Sequence, residues 1–303
     1  MRKYIGLTRR NLLIYFKDRQ SIFFSMLTPI IVFVLYILFL KDTFVEPIKS
    51  ASAGLEDFIS DENINMFVNG LLLTGILGSS MITVPYNSLI TIVKDRESKI
   101  DYDISATPIK RVQIILSYFT ASAISAFIMA SVILSAGLLI MTAQGSLYLT
   151  AKDVIKLYGI TLLGSISATA LFMIVILFFK TSSASGAFLG ILSAATGFVI
   201  GAYIPISQFS ESVQTFCNIF PGSGITILYR NTLLNPILGE IDSNIGGLDN
   251  GMFVQAIKET FVFDAQVFGK SLGMQGILNL IYVVAMLSIV AIAIIYPKIY
   301  KRK

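Results

Sequence analysis

Few residues of this chain could carry out covalent or acid–base chemistry. Its 303 residues include no histidine and a single cysteine, Cys217. That removes zinc proteases of the HExxH kind, Ser–His hydrolysis and haem ligation through histidine. It also removes an internal disulfide and most thiol–metal sites. The closest approach to a phosphate-binding loop is Phe268-Gly269-Lys270-Ser271. The first glycine of that motif would fall at Asp264, where a carboxylate would repel phosphate, so the match is read as chance. No catalytic residue, metal or cofactor is expected on this chain.

The densest cluster of polar chemistry is 94–111, which mixes both signs of charge: Lys94, Asp95, Arg96, Glu97, Lys99, Ile100, Asp101, Tyr102, Asp103, then Thr107, Pro108, Lys110 and Arg111. Lys94 and Ser98, Arg96 and Ile100, and Lys99 and Asp103 are four apart, which predicts a short helix over 94–105. Thr107-Pro108 ends it and opens the next helix, since proline suits a first helical turn. From its residues alone, the segment is either a rigid handle for a soluble partner or a solvated loop that sets topology.

The elements that position this cluster are apolar. Hydrophobic residues make up 55% of the chain and charged residues 14%, against about 25% charge in soluble chains. Mean hydropathy is +0.78. Uncharged runs at 20–40, 63–93, 112–151, 157–179 and 271–297 are each long enough to cross a bilayer core. The expected fold is an all-α polytopic membrane protein with six spans, at about 21–40, 64–93, 110–142, 155–179, 183–204 and 273–296. The first span follows Arg2, Lys3, Arg9, Arg10, Lys17 and Arg19, is too long for a signal-peptide core, and is expected to remain in the mature protein.

Charge sets the orientation. The segments 1–20, 94–111, residue 180 and 298–303 hold 16 lysines and arginines, and the alternate segments hold 7. By the positive-inside rule both termini are cytoplasmic, and the net charge of +5 is a topology signal rather than a nucleic-acid surface. Within 1–20, Tyr4, Ile5, Leu12, Tyr15 and Phe16 fall on one helical side and Lys3, Arg10 and Lys17 on the other. This predicts an amphipathic interfacial helix against membrane lipid; a plain basic flank is the alternative. Two apolar pieces broken at Pro221-Gly222 predict a re-entrant outer hairpin over about 205–236, between spans five and six, its second piece ending at Asn235-Pro236. An outer loop follows, with a short helix around 253–261.

Small residues mark close packing. Gly186, Gly190, Gly197 and Gly201 line the fifth span, and Gly70, Thr74 and Gly78 the second. Contacts within the chain are favoured over a subunit interface for either strip. Asn69, Thr74 and Asn87 on the second span, with Ser193 and Thr196 on the fifth, are candidates for a transport path. No charged residue is expected deep in a span, which argues against coupling to an ion gradient.

At 94–111 the sequence resembles a known family. Glu97 followed by Ala106-Thr107-Pro108-Ile109-Lys110-Arg111 resembles the cytoplasmic coupling helix of ABC-2 type permeases. Gly201-Ala202-Tyr203-Ile204-Pro205-Ile206, Phe220-Pro221 and Tyr229-Arg230 look like the family's run after the fifth helix, its mid-hairpin proline and its closing arginine. The resemblance covers essentially the whole chain and is closest to the drug- and antibiotic-exporting branch of type V-like ABC exporters.

It implies a permease subunit in a prokaryotic plasma membrane, paired with a second copy or a paralogue and moving an amphipathic drug, antibiotic, peptide or lipid outward. ATP and Mg would be bound by a separate ATPase subunit gripping Lys94, Arg96, Glu97, Lys99, Ile100, Tyr102, Thr107, Pro108 and Arg111. Pro205, Pro221 and Arg230 would belong to the hairpin gate. An ATPase-independent secondary transporter or channel is the alternative.

Overall fold

The computed structural model describes residues 2–299 apart from 53 and 56. The basic tail at 301–303 lies outside the described residues. In chain order the elements are α1 (Arg2–Lys17), α2 (Arg19–Leu35), a π-helical turn (Tyr36–Leu40) leading into α3 (Lys41–Ala51), α4 (Asp61–Glu97), α5 (Ile100–Ala106), α6 (Arg111–Gln144), α7 (Ala151–Leu177) and α8 (Ser182–Val199). They continue with α9 (Glu211–Ile219), α10 (Pro221–Ile245), α11 (Met252–Thr260), the antiparallel pair β1 (Ala265–Val267) and β2 (Lys270–Leu272), and α12 (Met274–Ile299).

Six helices are long and apolar enough to cross a membrane: Arg19–Phe39, Asp61–Glu97, Arg111–Gln144, Ala151–Leu177, Ser182–Val199 and Met274–Tyr296. They match the six expected spans, and the chain is an α-helical multi-pass membrane protein. The fifth span stops short of 204 because Gly201 takes φ +67°, a left-handed conformation that ends helices.

The second span is the axis of the bundle. At 37 residues and about 1.5 Å per residue it is roughly 55 Å long. Of its most apolar stretch 83% is buried, against 22–28% for α2, α6, α8 and α12, which leave most of their surface to lipid. α4 packs against α2, α6, α7, α8 and α10. A Cβ at Gly70 would strike Leu234, and one at Gly78 would strike Thr226, so this strip lets α10 lie against α4. α2 is tied on by polar contacts. Pro29 cannot donate to the Ser25 carbonyl one turn back, and Thr83 on α4 donates its hydroxyl to that carbonyl at 2.8 Å.

The hairpin differs from expectation. Its first arm is α9, but the second, α10, runs 25 residues through Pro236 to Ile245 instead of ending at Asn235-Pro236. Leu233, Leu234, Ile237 and Leu238 around that proline are all buried, and this packing outweighs the one backbone bond that proline forgoes. Pro205 precedes a short 3-10 turn, Ile206–Gln208, and Pro221 is the first residue of α10.

At the same end of the bundle, Arg230 donates to the carbonyls of Phe261 and of Val262 (3.0 Å), and Asn231 donates to that of Phe263 at 2.6 Å. Val262 sits at φ +56°, costly for a β-branched residue, and these bonds hold the turn. Phe261 packs edge-on to Phe44 and Phe67, so α3, α4 and α10 converge there. Phe268-Gly269 forms the tight turn of the β-pair, with φ +50° and +71°. It is a hairpin turn, not a loop feeding a helix, in keeping with a chance phosphate-loop match.

Candidate functional site

The segments that charge assigns to one side of the membrane meet at one end of the bundle: α1, the end of α4, α5, the start of α6 and the turn between α7 and α8. The short helix there is Ile100–Ala106, not 94–105. Residues 94–97 are the last turn of α4, and the break falls at Lys99, whose φ of +63° no helix accommodates. Ser98 back-bonds through its hydroxyl to the Lys94 carbonyl at 2.7 Å, closing α4. Thr107 caps α5 by donating its hydroxyl to Ile104 at 2.6 Å. Pro108 lies before α6 rather than in its first turn; its carbonyl accepts from the Lys3 ammonium at 3.3 Å, and α6 begins at Arg111.

The break sorts the expected residues into two groups. Lys99, Ile100, Tyr102, Thr107, Pro108 and Arg111 are exposed, Tyr102 to 71%, while Ile104 turns inward and anchors α5. Lys94 and Glu97 are exposed as well and Arg96 is half-buried, but all three bond to neighbouring elements. Lys94 pairs with Asp18 at 2.8 Å. Arg96 donates to the carbonyls of Leu177 (3.2 Å) and Phe179 (2.9 Å), satisfying the C-terminal end of α7 with a cation. Glu97 accepts from the Ser182 amide at 2.9 Å and from the Ser182 hydroxyl, placing an anion at the N-terminus of α8. Two consecutive side chains thus grip the α7–α8 turn from both sides.

The mutual contacts of Asp95, Arg10 and Tyr118 escaped the sequence reading. Asp95 is buried on α4, with Arg10 bonded to both its oxygens at 2.5 and 2.7 Å and the Tyr118 hydroxyl at 2.5 Å. A carboxyl group buried away from water needs such hydrogen-bond partners. In the sequence Asp95 reads only as one charge of the expected 94–105 helix.

α1 packs on α6 through Tyr4 to Thr120 at 2.6 Å and Asn11 to Ser117 at 3.4 Å. Its buried stripe is Leu7, Thr8, Asn11 and Tyr15, whereas Ile5 is exposed. The stripe is partly polar because α6 offers hydroxyl partners. Asp18, between α1 and α2, accepts from the Gln20 and Ser21 amides at 3.1 and 3.2 Å. Partial burial works to raise its pKa, but Lys94 and the Ser21 hydroxyl and amide outweigh this and hold the carboxyl at about 2.

Beside this cluster, α2, α4 and α8 enclose a groove of about 590 Å³. Asp18 and Lys94 stand at its polar end, and Phe24, Ile31, Ile90 and Leu189 supply apolar wall. Asn87 and Ser193 line it; Asn87 also donates to the Ser21 carbonyl and to the Ser25 hydroxyl at 2.9 Å. The other candidates for a path lie elsewhere. Asn69 donates to Gln144 at 3.1 Å, and Thr74 and Thr196 return their hydroxyls to their own helices, at Leu71 and Leu192.

The glycines of the fifth span also divide. Gly186 and Gly190 line the groove and meet nothing within 4 Å, so they provide no packing within the chain. Gly197 lies against the Tyr203 ring.

Six apolar helices with a partly exposed short helix between two of them are the frame of a multi-pass membrane protein. The model of the ABC-2 family transporter proteins matches residues 44–296. The chain belongs to that family and is an ABC transporter permease, a class that implies an ATPase partner. No curated protein and no solved structure matches it.

Proposed function

We propose that the chain is the permease of an ATP-driven exporter in a prokaryotic plasma membrane. Its α5 end is the cytoplasmic side, with both termini there, and a separate ATPase subunit carrying ATP and Mg docks on the exposed face of α5. The observation carrying this reading is the division of labour at 94–111. Ile100, Tyr102, Thr107 and Pro108 are exposed, while Arg96 and Glu97 bind the ends of α7 and α8. A force on α5 would therefore reach three spans at once, with α4 as the stiff shaft between them.

The groove between α2, α4 and α8 supports a path for an amphipathic substrate such as a drug, antibiotic, peptide or lipid, since its wall is apolar and its inner end charged. The open glycine face of α8 supports completion of that path by a second copy or a paralogue. α9 with the first turns of α10 would form the outer re-entrant gate, and the exposed Ile5 and Leu13 of α1 would rest in the inner leaflet.

The test is reconstitution in liposomes with and without an ABC ATPase subunit that co-purifies with the chain, following outward movement of a fluorescent amphiphile. ATP-dependent movement that requires both proteins is expected. Equal movement by the permease alone would overturn the reading.

A further inference from the structure

A second site lies on the opposite flank of α5 from the groove. α6, α7 and α12 leave between them a cleft of about 260 Å³, walled by Leu116, Phe119, Met173, Ile289 and Ile292 and lined by no charged side chain. Val112 and Leu116 are exposed to 64% and 46%, so the cleft opens toward lipid. At its inner end stands Tyr296, which also lines a second pocket of about 420 Å³ containing Ser105, Thr107, Lys110 and Arg111. No acidic residue among the described ones lines that second pocket; Asp101 lines an adjoining small gap that shares Ser105, Ile114 and Tyr296 with it. An apolar slot thus runs into a basic, hydroxyl-bearing mouth across one tyrosine, at the depth where aromatic side chains meet headgroups.

We propose that this pair of pockets binds one anionic phospholipid, with an acyl chain in the cleft and the phosphate headgroup against Lys110, Arg111 and Ser105. The chain contributes fit but little selectivity, because the bilayer offers it an equally apolar alternative. Selectivity comes from the two cations, each favouring an anionic over a zwitterionic headgroup by about fivefold. The headgroup would touch the last turn of α5 and the first of α6 together, so its presence would stiffen the joint on which the proposed ATPase acts. That consequence rests on the function proposed above; the binding site does not.

The experiment uses the full chain alone, purified in detergent and measured by native mass spectrometry with phosphatidylglycerol or phosphatidylcholine at equal concentration. A preference of roughly twentyfold for phosphatidylglycerol is expected. It should fall to near unity in the Lys110→Gln/Arg111→Gln double variant and stay unchanged in Lys152→Gln, which removes a distant surface cation. Leu116→Trp, which fills the cleft, should release the lipid without shifting thermal unfolding. Equal retention of the two lipids, or a preference that survives both the double variant and Leu116→Trp, would overturn the proposal. Because no ATPase is present, this outcome is independent of the export assay.

Discussion

Glu97, on the last turn of α4, accepts the backbone amide of Ser182 at 2.9 Å and also its hydroxyl, in the first turn of α8. An exposed charged residue in the segment that reads as a partner-facing surface is thus also a clasp between two spans. It follows that residues a few positions apart in 94–111 should fail in different ways.

Tyr102→Ala should weaken ATPase binding by about thirtyfold, the loss typical of an exposed aromatic anchor at an interface centre. Glu97→Gln should leave that binding intact yet lower transport-coupled ATP turnover by roughly tenfold. Pull-down affinity and ATPase assays on the reconstituted complex separate the two. Loss of binding in Glu97→Gln would contradict the clasp.

Arg10→Ala would strand the buried Asp95 carboxylate, leaving it the hydrogen bond from the Tyr118 hydroxyl. Breaking a buried pair costs roughly 3–5 kcal/mol, and the partial exposure of Arg10 reduces that to about 2 kcal/mol. A lowered unfolding temperature in detergent is expected, with most of it restored in Arg10→Ala/Asp95→Asn.

Removal of Arg230 leaves the carbonyls of Phe261 and Val262 buried without their donor. Arg230→Met should destabilise the chain by about 3 kcal/mol. Limited proteolysis should then cut first within 261–264.

The glycines of α8 and α4 should separate packing from function. Gly78→Leu forces α10 off α4 and should cost roughly 1–3 kcal/mol by overpacking. A Cβ at Gly190 meets nothing within 4 Å, so the unfolding temperature of Gly190→Leu should not fall, while transport should drop if the groove is the path. Unchanged transport in Gly190→Leu would remove α8 from the path.

Asp18 links α1, α2 and α4, and its folded pKa of about 2 lies below the usual 3.8. A depressed carboxyl stabilises the fold above its unfolded value and loses that contribution as pH falls through the folded value. Stability supplied by Asp18 should therefore be constant above about pH 5 and decline between about pH 4 and pH 2. In Asp18→Asn that part of the decline should vanish, as read by unfolding temperature against pH.

The six spans were legible because a bilayer imposes a length and an apolar composition that show in any stretch of chain, and the basic flanks were legible because charge sets sidedness locally. The short inner helix was legible in kind but not in extent. Nothing in the residue types around Lys99 announces a left-handed break, which arises where α4 must end for Ile104 to reach its pocket. Pro236 misled for the converse reason, since proline ends a helix only when tertiary packing does not hold it.

The sequence by itself determined that this chain lives in a membrane as six helices and concentrates its charge on one loop. The tertiary structure alone decided which of those charges face outward and which bind neighbouring helices. A side chain's direction depends on the rotation of its helix against partners distant in sequence. Asp95 and Arg10 are 85 residues apart, and the packing of α1 and α4 on α6 and on each other brings them together.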